Sequence, residues 1–148
     1  MVSGPITGYV PANTANLVES SFIGGLIRPQ GLISTGSING LSVANTNLFT
    51  VPAGKVVLVT SVILRLSTAV ALVGTMTAGV GVNVTADDIY GSQALTAFNA
   101  TNEYYMFTSN GNKRMALGGE NILLGIDTAF TGTSAVIIYY LFGLIDNQ

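Results

Sequence analysis

FTVPAGKVVLVTSVILRLSTAVALVG, Phe49 to Gly74, is the stretch on which the fold turns. It is almost free of charge and long enough to invite reading as a membrane span. A transmembrane helix requires about 20 predominantly apolar residues. Here Lys55 and Arg65 bracket a shorter run, and Thr60, Ser61, Ser67 and Thr68 interrupt it. Val and Ile dominate what remains. Their branched carbons are stiff and fit a pleated surface better than a helix. Alternate residues also separate. Val56, Leu58, Thr60, Val62, Leu64 and Leu66 fall on one face, and Lys55, Val57, Val59, Ser61, Ile63, Arg65 and Ser67 on the other. A period of two is the signature of a strand. Val51-Pro52-Ala53-Gly54 in front of it is a turn signal. The stretch therefore reads as a hairpin turn followed by a long strand, not as a membrane span.

Strand follows strand from there. A short one spans Ala69–Val73. In the next, Met76, Ala78, Val80, Val82 and Val84 share one side, while Gly79 and Gly81 on the other mark a bend or the close approach of another backbone. Ala86-Asp87-Asp88 reads as a turn. Ser109-Asn110-Gly111-Asn112 carries an Asn-Gly pair, a strong hairpin signal, and predicts that Lys113–Leu117 pairs with Tyr104–Thr108. Ile122, Leu124 and Ile126 alternate with Leu123, Gly125 and Asp127. The last strand, SAVIIYYLFGLI within Thr133–Ile145, is apolar on both faces. About eight short strands with regular turn signals and almost no helix predict an all-β, antiparallel β-sandwich of the jelly-roll type.

All four prolines lie at or before Pro52. Residues 1–45 are punctuated by Gly, Pro, Ser and Asn and read as an irregular N-terminal arm or anchoring segment; residues 46–148 read as the sandwich domain. The arm still carries Ile6, Tyr9, Val10, Leu17, Phe22, Ile23, Leu26, Ile27, Leu32 and Ile33. Two readings follow. It docks on a neighbouring subunit or another surface, or it folds back to lend edge strands to its own sheet.

The composition narrows the chemistry. The 148 residues fit one domain able to bury about 70% of its unfolded surface. The chain has no Cys, no His and no Trp. A thiol nucleophile, a Ser-His-Asp triad and a zinc-thiolate or histidine-zinc site are therefore ruled out. Charged residues are 8% of the chain, against about 25% in typical soluble domains. The net charge of −2 suggests no nucleic-acid partner. So little charge suits a subunit packed among its own copies, because interface cores are depleted in charge. The residues expected at such an interface are Phe22, Ile23, Leu26 and Ile27 in the arm and Tyr139 and Leu141 in the last strand. With no basic start and no apolar run of signal length, the chain is expected to fold in the cytoplasm where it is made.

Other constellations read as structural. Asp87-Asp88 beside Glu120 or Asp127 supplies oxygen ligands of the kind calcium takes, but with no EF-hand spacing. Paired carboxylates also serve glycoside hydrolysis. Tyr104-Tyr105 and Tyr139-Tyr140 offer sugar-stacking rings, yet each pair sits inside a strand, which turns one ring of the two into the core. Gly79, Gly81 and Gly91 form no phosphate-binding pattern. Asn83-Val84-Thr85 and Asn99-Ala100-Thr101 match the glycosylation acceptor pattern by chance. No catalytic residue, cofactor or metal ligand is assigned.

TVPAGK (Thr50 to Lys55) opening a long strand and IIYYLFGLI (Ile137 to Ile145) closing the domain resemble small all-β structural proteins of tailed bacteriophage virions: capsid decoration or cement proteins, head fibres and related jelly-roll domains. The resemblance covers about Phe49 to Ile145. It implies a homotrimeric jelly roll located in the virion and bound to the outside of a capsid lattice, with no enzyme activity. Its partners would be its own copies and the major capsid protein or other virion proteins, and residues 1–45 would anchor it. A fibre or tail-tip module recognising a cell-surface glycan is the main alternative. A capsid or tail-tube subunit, and an enzyme working through Asp127 or Glu103, are the others.

Overall fold

The computed structural model describes residues 31–109 and 115–148. Among them are nine strands and no helix: β1 (Gly31–Asn39), β2 (Asn45–Thr50), β3 (Lys55–Val70), β4 (Thr77–Val82), β5 (Thr85–Ala94), β6 (Tyr104–Met106), β7 (Ala116–Leu117), β8 (Asn121–Thr128) and β9 (Ser134–Asn147). They form two antiparallel sheets. One runs β1-β9-β3-β6, with β7 also on β3; the other runs β2-β8-β4-β5. Apart from the β4–β5 hairpin and the short β7, each successive strand changes sheet. Two sheets wound in this order, one of four strands and one of four with the short β7 added, are a jelly roll, as the sequence predicts.

The core fills the space between the sheets. Val57, Val59, Val62, Leu64 and Leu66 of β3 and Ile137, Tyr139 and Leu141 of β9 line one side. Ala78, Val80 and Val82 of β4 and Ile122, Leu124 and Ile126 of β8 line the other. The alternation read in β4 and β8 is thus met, except that Val84 lies at the hairpin tip and is exposed.

Several expectations change. First, the β3 faces read from strict alternation hold only after Thr60. A bulge sits between Val59 and Ser61, opposite Gly143 and Phe142. The extra residue shifts the phase, so Val57 and Val59 point inward with Val62 and Leu64, and Leu58 points out. At the bulge the Thr60 carbonyl accepts a hydrogen bond of 3.1 Å from the Tyr90 hydroxyl. Second, Val51–Gly54 is a turn, with Gly54 at φ +74° and Lys55 N donating to Pro52 O at 3.2 Å, but it is no hairpin: β2 and β3 lie in different sheets. Third, β7 pairs with β3 at Val56 and Val57, and β6 pairs with β3 at Ile63 to Arg65. The predicted pairing of Lys113–Leu117 with Tyr104–Thr108 is replaced, because the long edge of β3 holds room for both; Asn110 to Arg114 lie outside the described residues. Gly31–Asn39, within the segment read as the arm, is β1, an edge strand of the first sheet, as the fold-back reading has it for these residues. Its Ser34 and Thr35 side chains bond β2 and β9 (Ser34 Oγ to Leu48 O 2.6 Å, Thr35 Oγ1 to Tyr139 O 2.7 Å). Ile38 of β1 is buried and Ile33 packs against the core, while Gly31, Gly36, Ser34 and Ser37 dilute the strand signal of the segment.

Asp87 and Asp88 also leave their predicted turn. The turn is Asn83-Val84, with Asn83 at φ +53° and its side chain bonded to Glu120 and the Asn121 amide. Val80 pairs with Tyr90 and Val82 with Thr85, so Ala86 to Ile89 stand opposite Gly81 alone. The surplus arches over the outer side of the sheet onto three glycines. A Cβ on Gly79 would lie 2.6 Å from Ala86 O, and one on Gly125 2.6 Å from Ala86 Cβ. Gly79→Ala and Gly125→Ala should each destabilise the protein by about 2 kcal/mol through overpacking. Gly54→Ala, with open space around its Cβ, should cost only about 1 kcal/mol from its left-handed backbone. Urea unfolding midpoints of the three variants check the order.

Candidate assembly surface

The two sheets present different faces to the outside. On β9 the outward residues are Val136, Ile138, Tyr140, Phe142 and Leu144, all half-buried. Strand register carries the apolar surface across. Ile63 stands opposite Tyr140, Arg65 opposite Ile138 and Leu58 opposite Leu144. Met106 stands opposite Ile63 and Tyr104 opposite Arg65. Tyr104 is 68% exposed and Met106 49%. Opposite residues of an antiparallel pair share a face, so these side chains form one surface across three strands. Its single charge is Arg65, which donates to Asn102 Oδ1 at 3.3 Å. Tyr, Phe, Met and Arg are the residue types enriched at protein interfaces, and Lys, Asp and Glu are depleted there.

The outer side of the other sheet is unlike it. Asn45 and Asn47 of β2 and Asp127 of β8 are exposed, and Gly125 of β8 and the glycine floor of β4 lie beneath the β5 arch. A shallow hollow there, about 400 Å³, is lined by Asn45, Val84, Thr85, Ala86, Asp87 and Asp127.

Four of the acids named from the sequence, Asp88, Asp127, Glu120 and Glu103, make structural hydrogen bonds. Asp88 Oδ1 accepts from Val82 N at 3.0 Å, and Asp127 accepts from the Ser92 hydroxyl. Glu120 accepts from Leu117 N at 2.8 Å and from Asn83 Nδ2 at 3.0 Å. Glu103 ties the Asn99 and Ala100 amides at 2.7 and 2.6 Å. Among the described residues no three acidic, His or Cys side chains gather where an ion would bind.

Two of the six expected interface residues belong to the inside. Tyr139 is 7% exposed and Leu141 fully buried. The Tyr139 hydroxyl lies 3.2 Å from both Leu48 O and Ser34 Oγ, and so ties β9 to β2 across the core. A Cβ on Gly36 would stand 2.9 Å from the Tyr139 ring, so Gly36 makes room for that ring. Neither Tyr139 nor Leu141 reaches a second molecule unless the sandwich opens. The β9 residues that do face out are their even-numbered neighbours. Alternation could not choose between the sets because both are apolar; the signal that decides is Tyr139's need for a buried partner, met by Leu48 and Ser34. Phe22, Ile23, Leu26 and Ile27 lie outside the described residues.

The fold is similar to chains in two solved structures. One is the acidic stable capsid structure of Helicobacter pylori bacteriophage KHP30, with 14% identity and a TM-score of 0.51 over 80% of this chain and 94% of that one. The other is the cyanophage Pam1 capsid asymmetric unit, with 19% identity and a TM-score of 0.50 over 90% of this chain and 97% of that one. At such identities the likeness is one of fold. No protein-family model and no curated protein matches the sequence.

Leu141→Ala should lower stability by about 3 kcal/mol, as for a buried leucine. Tyr104→Ser should change it by less than about 0.5 kcal/mol, as for an exposed site. Urea unfolding of a sample dilute enough to hold single chains separates the inner set from the outer.

Proposed function

We propose that the protein is a structural subunit of a bacteriophage virion: a homotrimeric decoration or cement protein, made in the host cytoplasm, that stabilises the shell by bridging subunits and has no enzyme activity. The observation that carries this reading is the apolar, nearly uncharged outer face of the β1-β9-β3-β6 sheet, set against a polar outer face on the other sheet. The likeness of the whole sandwich to chains in two phage capsid structures supports the setting. The chemistry is that of area. Apolar surface removed from water contributes roughly 25 cal/mol per Å², and a lattice repeats each small gain many times. A trimer requires this face to meet a different surface of the next copy, a heterologous contact that closes into a ring when the rotation between copies is threefold.

A glycan-binding fibre or tail-tip module is the second reading, and the exposure of Tyr104 is what favours it. Tyr104 stands among Met106, Ile63 and Ile138, with Arg65 and Asn102 as its nearest polar groups, which is little hydrogen bonding for a sugar.

Light scattering of the purified chain should give about three times 15.3 kDa. Ile63→Glu combined with Tyr140→Glu should reduce that to a single chain with an unchanged β-type circular dichroism spectrum, since a buried unpaired carboxylate at an interface costs several kcal/mol. A wild-type monomer at micromolar concentration would overturn the assembly reading. An unchanged trimer in the double variant would move the interface elsewhere.

A further inference from the structure

The central outer face of the β1-β9-β3-β6 sheet, three strands wide and about seven residues long, covers roughly 330 Å². A specific interface takes about 800 Å² from each partner. An assembly through this face therefore extends to the margins of the sheet, and the two margins differ.

Tyr104 stands at the β6 margin. Its neighbour Tyr105 turns inward onto Phe98 and Phe107, but Tyr104 is 68% exposed and is the only exposed aromatic ring among the described residues. At the opposite margin, between β1 and β9, lies a hollow of about 410 Å³. Leu41 and Val136 give it apolar wall, and Ser37, Asn39, Thr133 and Ser134 give it hydroxyls and an amide. Asn39 Oδ1 already accepts from Leu41 N at 3.0 Å, which leaves its Nδ2 to donate. No charge and no aromatic ring lines the hollow. It suits a neutral ring with one hydroxyl, apolar in the body and polar at the tip, better than an ion or a stacked sugar.

Knob and hollow stand at nearly one height on the sheet. Tyr104 lies opposite Arg65, and Arg65 opposite Ile138. Val136, in the wall of the hollow, is two residues from Ile138, about 7 Å along the strand. Rotation about an axis parallel to the strands leaves height unchanged. Three copies with this face turned toward such an axis bring the β6 margin of each against the β1 margin of the next, the heterologous contact that a closed ring needs.

We propose that Tyr104 of one copy enters the hollow between β1 and β9 of the next copy and anchors the ring. This rests on the assembly reading above. A tyrosine seated in a pocket is the kind of side chain that carries most of the binding energy of an interface.

The chain has no native cysteine, so thiol mapping is clean. Two full-length proteins with different tags, one carrying Tyr104→Cys and the other Ser37→Cys, are co-expressed, purified through both tags and treated with a short bis-maleimide. The expected product joins the two differently tagged chains, and it is absent when Ser37→Cys is replaced by Asp127→Cys on the other sheet. Tyr104→Ala should raise the concentration at which the trimer dissociates at least about tenfold. Ser37→Trp, which fills the hollow, should do the same, with little further loss in the double variant. Both positions are exposed, so the circular dichroism spectrum should not change. A cross-link joining two Tyr104→Cys chains in place of the mixed product would overturn the arrangement, as would a trimer that Tyr104→Ala leaves unweakened. The light-scattering mass keeps the two readings apart. A wild-type trimer without the mixed cross-link sinks the anchor and leaves assembly standing; a wild-type monomer sinks both.

Discussion

The pairing of β3 with β9 is the constraint on which the rest of the structure depends. From Lys55 with Asn147 to Val70 with Ser134, the two longest strands run antiparallel along their whole length. Together they set the length of one sheet. β9 gives its second edge to β1, and β3 divides its second edge between β6 and β7. Every residue that faces the second sheet from this one takes its orientation from that register. A slip of one residue would exchange Tyr139 and Leu141 for Tyr140 and Phe142, and so turn the core outward.

Both strands are apolar on two faces, so hydrophobicity alone cannot hold the register. Smaller features do. The bulge at Thr60 lies where Gly143 comes against the Leu58 carbonyl, and a side chain at Gly143 would collide with it. A second irregularity lies between Leu66 and Thr68, where Ser67 Oγ bonds the Val136 carbonyl at 3.1 Å. Tyr139 fixes the phase between the two, because its hydroxyl finds Leu48 and Ser34 on the inside only. A buried hydroxyl without a partner costs about 1–3 kcal/mol, enough to choose one phase when both faces are otherwise alike.

This explains what could be read from the sequence. Strands with one polar face were legible: Ile122, Leu124 and Ile126 of β8, and Met76 to Val82 around β4, point where alternation places them. The jelly roll was legible from strand number and turn spacing, and the glycines of β4 correctly signalled a backbone passing close by. Illegible were the features that break period two. The bulge in β3 reverses the faces of Val56 to Val59, and nothing in KVVLVTSV marks it, since Val stands on both sides. The arch of β5 hides behind Asp87-Asp88, a pair that looks like a turn. β1 was foreseen only as one of two readings of the arm, because Ser34 and Gly36, placed for Leu48 and Tyr139, break up the signal of Ile33 and Ile38. On the last strand, Tyr139 and Leu141, named from the sequence as outward residues, face the core, for the reason the register supplies.

The same register bears on why the chain carries so little charge. A sandwich with two solvated outer faces needs polar residues at every second position of each strand. Here the second sheet supplies them partly through asparagine, threonine and aspartate and partly by removing side chains altogether, with glycines covered by its own β5 arch. The first sheet does not supply them: Arg65 is the one charge on the central part of its outer face, among Ile63, Ile138, Tyr140, Phe142 and Met106. A lone sheet face of that kind promotes association, which exposed charge would oppose. The strands of each sheet carry three charges, Lys55, Arg65 and Asp146 on one and Asp87, Asp88 and Asp127 on the other. What differs is their place: on the first sheet Lys55 and Asp146 lie at strand ends, and the residues that keep the centre of its outer face apolar are the same ones that a one-residue slip would bury.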